Sequence, residues 1–273
     1  MRVAIIGCGY LGQEVAKKLV EKKYFVTATT KNVNNLKTIA SIAQKSYLMK
    51  GDALPAMKIL LQENDAIILS IALNGSKDME NTFLKTARTI QQAALETKES
   101  KTIIYTSKSS IYGDHAGQWV DESASLNAKG DEAKILKDTE NVILNLKDLN
   151  WKVTVLRLAQ IYGPNRTIID IFKSYYKDII PGHSEYYTNM VHVQDAANAI
   201  IYVLEHSIEG VYNVADDAHP TRKEFANILC RKTNLKIPSF DPKLADFPDY
   251  NKRVANYRIK EKGFEFTYPE RVF

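Results

Sequence analysis

A chain of 273 residues with 45% hydrophobic content can bury a sizeable core, near the limit of one continuous core, so one large domain with a smaller appendage is expected. Its 37 basic and 32 acidic residues leave a net charge of +5, with no long basic run and no aromatic-basic alternation, which argues against nucleic acid as a partner. A mild basic surplus suits anionic ligands, although most of these lysines read as ordinary solvated surface.

Met1-Arg2 leads straight into the apolar segment 3–6, too short for a signal-peptide core, so no leader is expected. No apolar run approaches the roughly 20 residues that span a bilayer, and no membrane partner is expected. Residues 3–6 read as a first strand. Leu11, Val15, Ala16, Leu19 and Val20 recur at helical spacing and predict an amphipathic helix ending near Lys22-Lys23. Further strands are predicted at 25–29, 46–49, 66–70, 102–106, 153–158 and 211–214, with helices at 79–95, 131–146 and 195–204. This alternation is the pattern of a parallel sheet covered by helices on both faces.

After Asn213 the texture changes. Thr221 and Glu224 form a capping box that starts a helix to about Thr233. Beyond it, Pro238, Pro242, Pro248 and Pro269 predict irregular pieces, a small lid or substrate lobe with no more sheet. The expected division is a dinucleotide-binding domain over 1–217 and a lobe over 218–273, to which 159–187 contribute.

Between the first strand and the first helix stands Gly7-Cys8-Gly9-Tyr10-Leu11-Gly12. In that context Gly7 permits a tight turn, Gly9 lets the backbone approach a pyrophosphate, and Gly12 lets the helix pack close while its N-terminal amides face the anion. The whole turn is therefore read as a dinucleotide site. The acidic residue that usually follows the second strand is missing, and Thr29, Thr30 and Lys31 stand there instead. A hydroxyl and an ammonium suit a 2′-phosphate, so NADP is preferred, with NAD second. Asp52, after the third strand, is placed either near the adenine or as a helix cap.

At several stations the sequence resembles the extended short-chain dehydrogenase/reductases, the NAD-dependent epimerase/dehydratase group. These are the glycine turn, Gly51-Asp52, Ser109-Ser110-Ile111-Tyr112-Gly113, Arg157-Leu158-Ala159-Gln160-Ile161-Tyr162-Gly163-Pro164, His192-Val193-Gln194-Asp195 and Val211-Tyr212-Asn213-Val214. The ending Lys252-Arg253-Val254-Ala255-Asn256-Tyr257-Arg258, with Gly263-Phe264 and Tyr268-Pro269, is similar to an atypical subgroup.

The resemblance implies an α/β, Rossmann-type, doubly wound parallel sheet of about seven strands with a small, discontinuous C-terminal substrate lobe. It implies a hydroxylated or nucleotide-linked small-molecule substrate, a tyrosinate and lysine spaced Tyr-x-x-x-Lys on one helix face, and a serine or threonine that polarises the same oxygen. Counting back from Glu140, the tyrosine position falls on Glu132 and the lysine position on Leu136. No tyrosine lies between Gly113 and Trp151. The serine or threonine position, counted back from Tyr112, falls on Lys108.

Candidate catalytic residues are therefore Lys108, with Ser109 or Tyr112 in support, unless Lys108 is a solvated or phosphate-facing lysine. Tyr162, Gly163, Pro164 and His192 are candidates for the pocket wall, with His192 otherwise a hydrogen-bonded structural histidine and Asp195 the cap of the following helix. Two functions stand open: an atypical oxidoreductase or epimerase, or a silent NADP(H)-binding sensor. The resemblance also makes helices 79–95 and 131–146 candidates for a homodimer. Cys8 and Cys230 lack metal-ligand spacing, so no metal is expected and a reducing cytoplasm fits.

Overall fold

The computed structural model describes residues 1–73, 78–98, 100–244 and 250–273. Its first half alternates strand and helix: β1 (Arg2–Ile6), α1 (Tyr10–Glu21), β2 (Phe25–Thr30), α2 (Val33–Ala40), β3 (Lys45–Leu48), α3 (Leu54–Glu63), β4 (Ala66–Leu69), α4 (Lys85–Thr97) and β5 (Thr102–Lys108). Then follow α5 (Asp131–Leu144), β6 (Lys152–Leu158), α6 (Val193–Glu205) and β7 (Gly210–Val214). The seven strands form one parallel sheet in the order β7-β6-β5-β4-β1-β2-β3, with the crossover next to β1 that a doubly wound sheet requires.

The central strands β1, β4, β5 and β6 are rich in buried β-branched and apolar residues because both their faces are covered, whereas the edge strand β3 is largely exposed. Ala4 and Ile6 of β1 and Ile67 and Leu69 of β4 share one core with Met57 and Leu61 of α3, Ala87 and Ile90 of α4 and Ile143 of α5. On the other face Ile5 lies against α1, where a Cβ on Gly12 would come within 3.3 Å of its methyl group. A side chain there would push the helix off the strand.

All seven strands expected from the sequence are present within a residue or two. The helix expected at 79–95 opens with a π-helical turn, Glu80–Leu84, and the one at 131–146 ends as α-helix at Leu144 and continues as a 3-10 turn, Asn145–Leu149. Helices α2 and α3 were not expected. Asn32 caps α2 by accepting from the Asn34 amide at 3.0 Å, and Pro55 stands in the first turn of α3, the position where proline loses nothing.

Chain contacts divide the described residues into two compact units: one of 1–108, 130–157 and 197–212, the other of 109–129, 158–196 and 213–273. The residues expected in the lobe, 159–187 and 218–273, fall in the second unit, which also holds 109–129, 158, 188–196 and 213–217.

Within that second unit, three short parallel pairs join distant segments: Gln160–Tyr162 with Met190–His192, Ile179–Pro181 with Ser239–Asp241, and Trp119–Val120 with Arg253–Val254. The expectation of irregular pieces after residue 233 is corrected by the last two pairs and by the helix Tyr257–Glu261. Strands of two or three residues leave no periodic trace in sequence. Pro248 lies outside the described residues. The helix Arg222–Thr233 begins at Thr221 with the expected capping box. A second core gathers Tyr162, Phe172, Ile180, Phe225 and Leu229. The buried pair Asp216–Arg271, 3.0 Å apart, ties down the C-terminal segment, aided by bonds from Arg271 to the Thr188 and Ala218 carbonyls.

His219 of the second unit sits edge-on to Trp119 at 4.8 Å and faces Asn189 Oδ1 at 3.1 Å. Burial, then the charges of Arg271 and Arg253, push it from 6.5 down to about 4. Above pH 6.5 both folded and unfolded chains hold a neutral ring. Between 6.5 and 4 the unfolded chain binds a proton that the folded one refuses, so stability falls as pH falls. After a discount for partial exposure the loss is about 2 kcal/mol. In thermal unfolding between pH 7 and pH 4.5, His219→Gln is expected to flatten this fall; an identical slope in both proteins refutes the assignment.

Candidate functional site

The first functional cluster lies at the carboxyl ends of β1 and β2. Gly7 holds a φ of +84°, and a Cβ there would meet the Ser70 carbonyl at 2.6 Å. Only glycine fits that turn. At Gly9 the opposite holds: a Cβ would meet no atom within 4 Å, so the space above the backbone is open.

Tyr10 begins α1, whose first turn carries no side-chain cap and no acidic residue. The positive end of the helix dipole therefore lies at this turn with no side-chain carboxylate or cap to answer it. Leu11 and Cys8 are buried, and burial pushes the Cys8 thiol up to about 12, so it acts as packing. No disulfide joins Cys8 and Cys230.

Sequence reasoning missed the residues that hold this turn. Asn35 of α2 donates to the Cys8 carbonyl at 2.7 Å and accepts from Gln13 at 2.9 Å. The only signal was the asparagine-rich start of α2.

Thr30 is buried, and its hydroxyl turns back to accept from the Asn32 amide at 3.1 Å. Lys31 is exposed and reaches Thr82 Oγ1 at 3.3 Å. Asp52 pairs with Lys85 at 3.0 Å, and that bond holds its carboxyl below the ordinary range. The cap position of α3 is Ala53, so Asp52 is not the helix cap.

The second cluster closes β5. Ser107 donates to Glu140 at 2.5 Å, and Glu140 takes a fork from Arg157, at 3.2 Å from Nε and 2.7 Å from Nη2. Lys108 follows, half-buried, its amine 4.9 Å from the centre of the Phe83 ring on the π-helical turn. Burial lowers its pKa, while the charge of Glu132 opposes the shift. Glu132 and Lys108 are thus electrostatic neighbours, and Glu132 is exposed.

Ser109 is buried at the start of the 3-10 turn Ser109–Tyr112. Tyr112 is fully buried and donates its hydroxyl to Asn213 Oδ1 at 2.7 Å, so that hydroxyl is engaged within the protein. Asn213 in turn is fixed by Glu122, whose carboxylate accepts its amide at 2.5 Å.

Of the residues assigned to a pocket wall, Tyr162 is buried and accepts from the Val272 amide at 3.2 Å. His192 is buried, lies 3.9 Å from the Tyr268 ring and 5.2 Å from Tyr162, and accepts from the Gln194 amide at 3.2 Å. Burial lowers its pKa, so a neutral packed ring describes it. Gly163 is buried and bridges to Arg166, and Pro164 is exposed. Asp195 is corrected from helix cap to tether: its two oxygens accept the Thr267 and Tyr268 amides, each at 2.8 Å.

Among the described residues no helix is long and apolar enough to cross a membrane. Across 98% of this chain and 97% of its own length, Protein YeeZ of Escherichia coli (strain K12) is 29% identical. Solved structures share the fold: a functionally unknown conserved protein from Silicibacter pomeroyi DSS at TM-score 0.79 and 24% identity, covering 98% of this chain and 94% of that one. The UDP-glucose 4-epimerase of Thermus thermophilus in complex with NAD matches at TM-score 0.80 and 17% identity, with the same coverage. A family model matches residues 3–215, and the chain belongs to the NAD dependent epimerase/dehydratase family.

Proposed function

We propose that this chain is an NAD(P)-dependent oxidoreductase or epimerase of a small hydroxylated, nucleotide-linked metabolite, with Lys108 as its proton-transferring group and NADP as its preferred dinucleotide. The observation that carries the reading is Lys108: a half-buried amine over Phe83, lowered in pKa at the end of a central strand. The nucleotide-linked class comes from the UDP-glucose epimerase that shares the fold.

The dinucleotide fits the residues present. The open space over Gly9 and the uncapped start of α1 accommodate a pyrophosphate, and Gly7 keeps the turn tight. In this reading Lys31, exposed after β2, would pair with a 2′-phosphate, while Thr30 shapes the loop through Asn32. Asp52 faces the adenine end in this reading, its charge steadied by Lys85. A bound nicotinamide supplies hydride exchange. The chain's own part is proton handling: neutral Lys108 Nζ takes the hydroxyl proton as the substrate carbon is oxidised and returns it on reduction, with Ser109 orienting the oxygen.

A second reading, a silent NADP(H)-binding sensor, is favoured by one observation. The hydroxyls of Ser107 and Tyr112 are both bonded within the protein, so two groups close in sequence that could assist are occupied. We further propose a cytoplasmic protein, consistent with two buried cysteines that form no disulfide, and a homodimer through α4 and α5.

Gly9→Ala is expected to fold with stability within about 0.5 kcal/mol of the parent yet lose the rise in melting temperature on adding NADPH. Gly7→Ala is expected to lose about 1–3 kcal/mol through strain alone. Equal NADPH shifts in Gly9→Ala and parent refute the cradle.

Lys31→Asp should weaken NADPH relative to NADH roughly tenfold in dissociation constant; an unchanged ratio removes the 2′-phosphate assignment. With an alcohol returned by a nucleotide-sugar screen, kcat for oxidation should climb with pH through an inflection below the ordinary lysine value. Lys108→Met should cost about 100-fold or more. Dinucleotide binding without any turnover across the screen decides for the sensor.

A further inference from the structure

Among the described residues the chain builds its buried arginines into the fold by using up their donors. Arg271, with no exposed side-chain surface, bonds Asp216, Thr188 and Ala218, and Arg157 forks onto Glu140. Arg253, in the second unit, is different. Its Nε donates to the Gly117 carbonyl at 3.0 Å, and its guanidinium carbon lies 4.9 Å from the Trp119 ring centre and 4.8 Å from that of Tyr187. Among the described residues the other side-chain donors, both Nη groups, meet no acceptor and no carboxylate pairs with Arg253.

An arginine left merely solvated would be loose. This one is fixed in orientation by a hydrogen bond and two rings, so little side-chain freedom remains to be lost on binding. The mount is itself rigid. Arg253 follows Lys252 on the short strand paired with Trp119–Val120, and the Asn251 carbonyl accepts the His115 and Gly117 amides at 2.9 and 3.0 Å. Asn251 also accepts the Tyr187 amide on Oδ1 at 3.1 Å. Its Nδ2 bonds no described residue and lies beside Tyr187, where a Cβ on Gly117 would be 3.0 Å from Nδ2 and 3.2 Å from the ring. Trp119 is 54% exposed, so the edge of the cluster faces solvent.

We propose that Arg253, held between Trp119 and Tyr187 and flanked by Asn251, forms an anion-binding site that takes the paired oxygens of a carboxylate or phosphate group. The Nη edge offers the parallel donors that such groups accept as a fork, and the Trp119 and Tyr187 rings hold the guanidinium in orientation. Every residue in the site belongs to the second unit, and its test needs no dinucleotide.

The test is a fluorescence titration of the full chain without dinucleotide, using inorganic phosphate and malonate at ionic strength fixed with sodium chloride. Trp119 reports and Trp151, 2% exposed, does not respond to surface binding. A saturable change is expected with at least one anion, and the lower half-saturation identifies phosphate or carboxylate as the ligand group. R253Q should raise the half-saturation tenfold or more, and R253K, which keeps the charge and loses the fork, about threefold or more. Melting curves establish that each variant is folded; where R253Q is not, R253K carries the test. A change that is linear and equal to that with chloride for both anions overturns the site. So does a half-saturation that neither folded variant alters.

Discussion

The buried Glu140–Arg157 pair is the constraint on which the rest of the first unit depends. Side-chain exposures of 2% and 6% mean that two full charges have left water, and the fork from Arg157 with the Ser107 hydroxyl gives Glu140 the bonds that make this tolerable. Removing either partner would strand a charge in the core at a cost of about 3–5 kcal/mol. The pair joins α5 to β6, and Ser107 joins both to β5, so three elements share one fixed point. Glu132 stands eight residues before Glu140 on the same helix, a little over two turns away. Its charge therefore acts on Lys108, the next residue after Ser107.

Within each unit polar groups sort into two kinds. Ser107, Tyr112, Tyr162 and His192 each have a partner inside the protein, and burial raises the pKa of Tyr162 and lowers that of His192, favouring the uncharged form of each. Lys108 has a ring and a distant carboxylate, with its amine half out of water. Chemistry gathers where a group is positioned but not consumed by the fold.

The sheet was legible because parallel strands covered on both faces must be short apolar runs, and 66–70 and 102–106 could be read as little else. The glycine turn was legible for a related reason: Gly7 and Gly12 answer local steric demands that the sequence states directly. Asp195 was misread as a helix cap because its partners, the Thr267 and Tyr268 amides, lie 72 and 73 residues away, and the Asn213 partner of Tyr112, 101 residues away, was equally invisible. No periodicity announces such a bond. The short strand pairs of the second unit escaped for the same cause, since their partners are separated by many tens of residues and each strand alone has no pattern.

That difference in legibility reflects how the second unit is held. Its strand pairs are too short to stabilise a sheet, and polar side chains aimed at backbone groups do the joining instead. Asn256 donates to the Ala215 carbonyl at 2.8 Å, Asn189 donates to that of Lys252 at 2.9 Å, and Arg271 to that of Thr188. Each bond closes a long loop whose ordering entropy must be overcome before the contact contributes. Such bonds are worth little alone and reinforce one another once several are made, because each fixes the chain for the next. Arg253 belongs to this pattern through Nε and departs from it through Nη, so a framework built to satisfy backbone can also leave donors that no described residue engages.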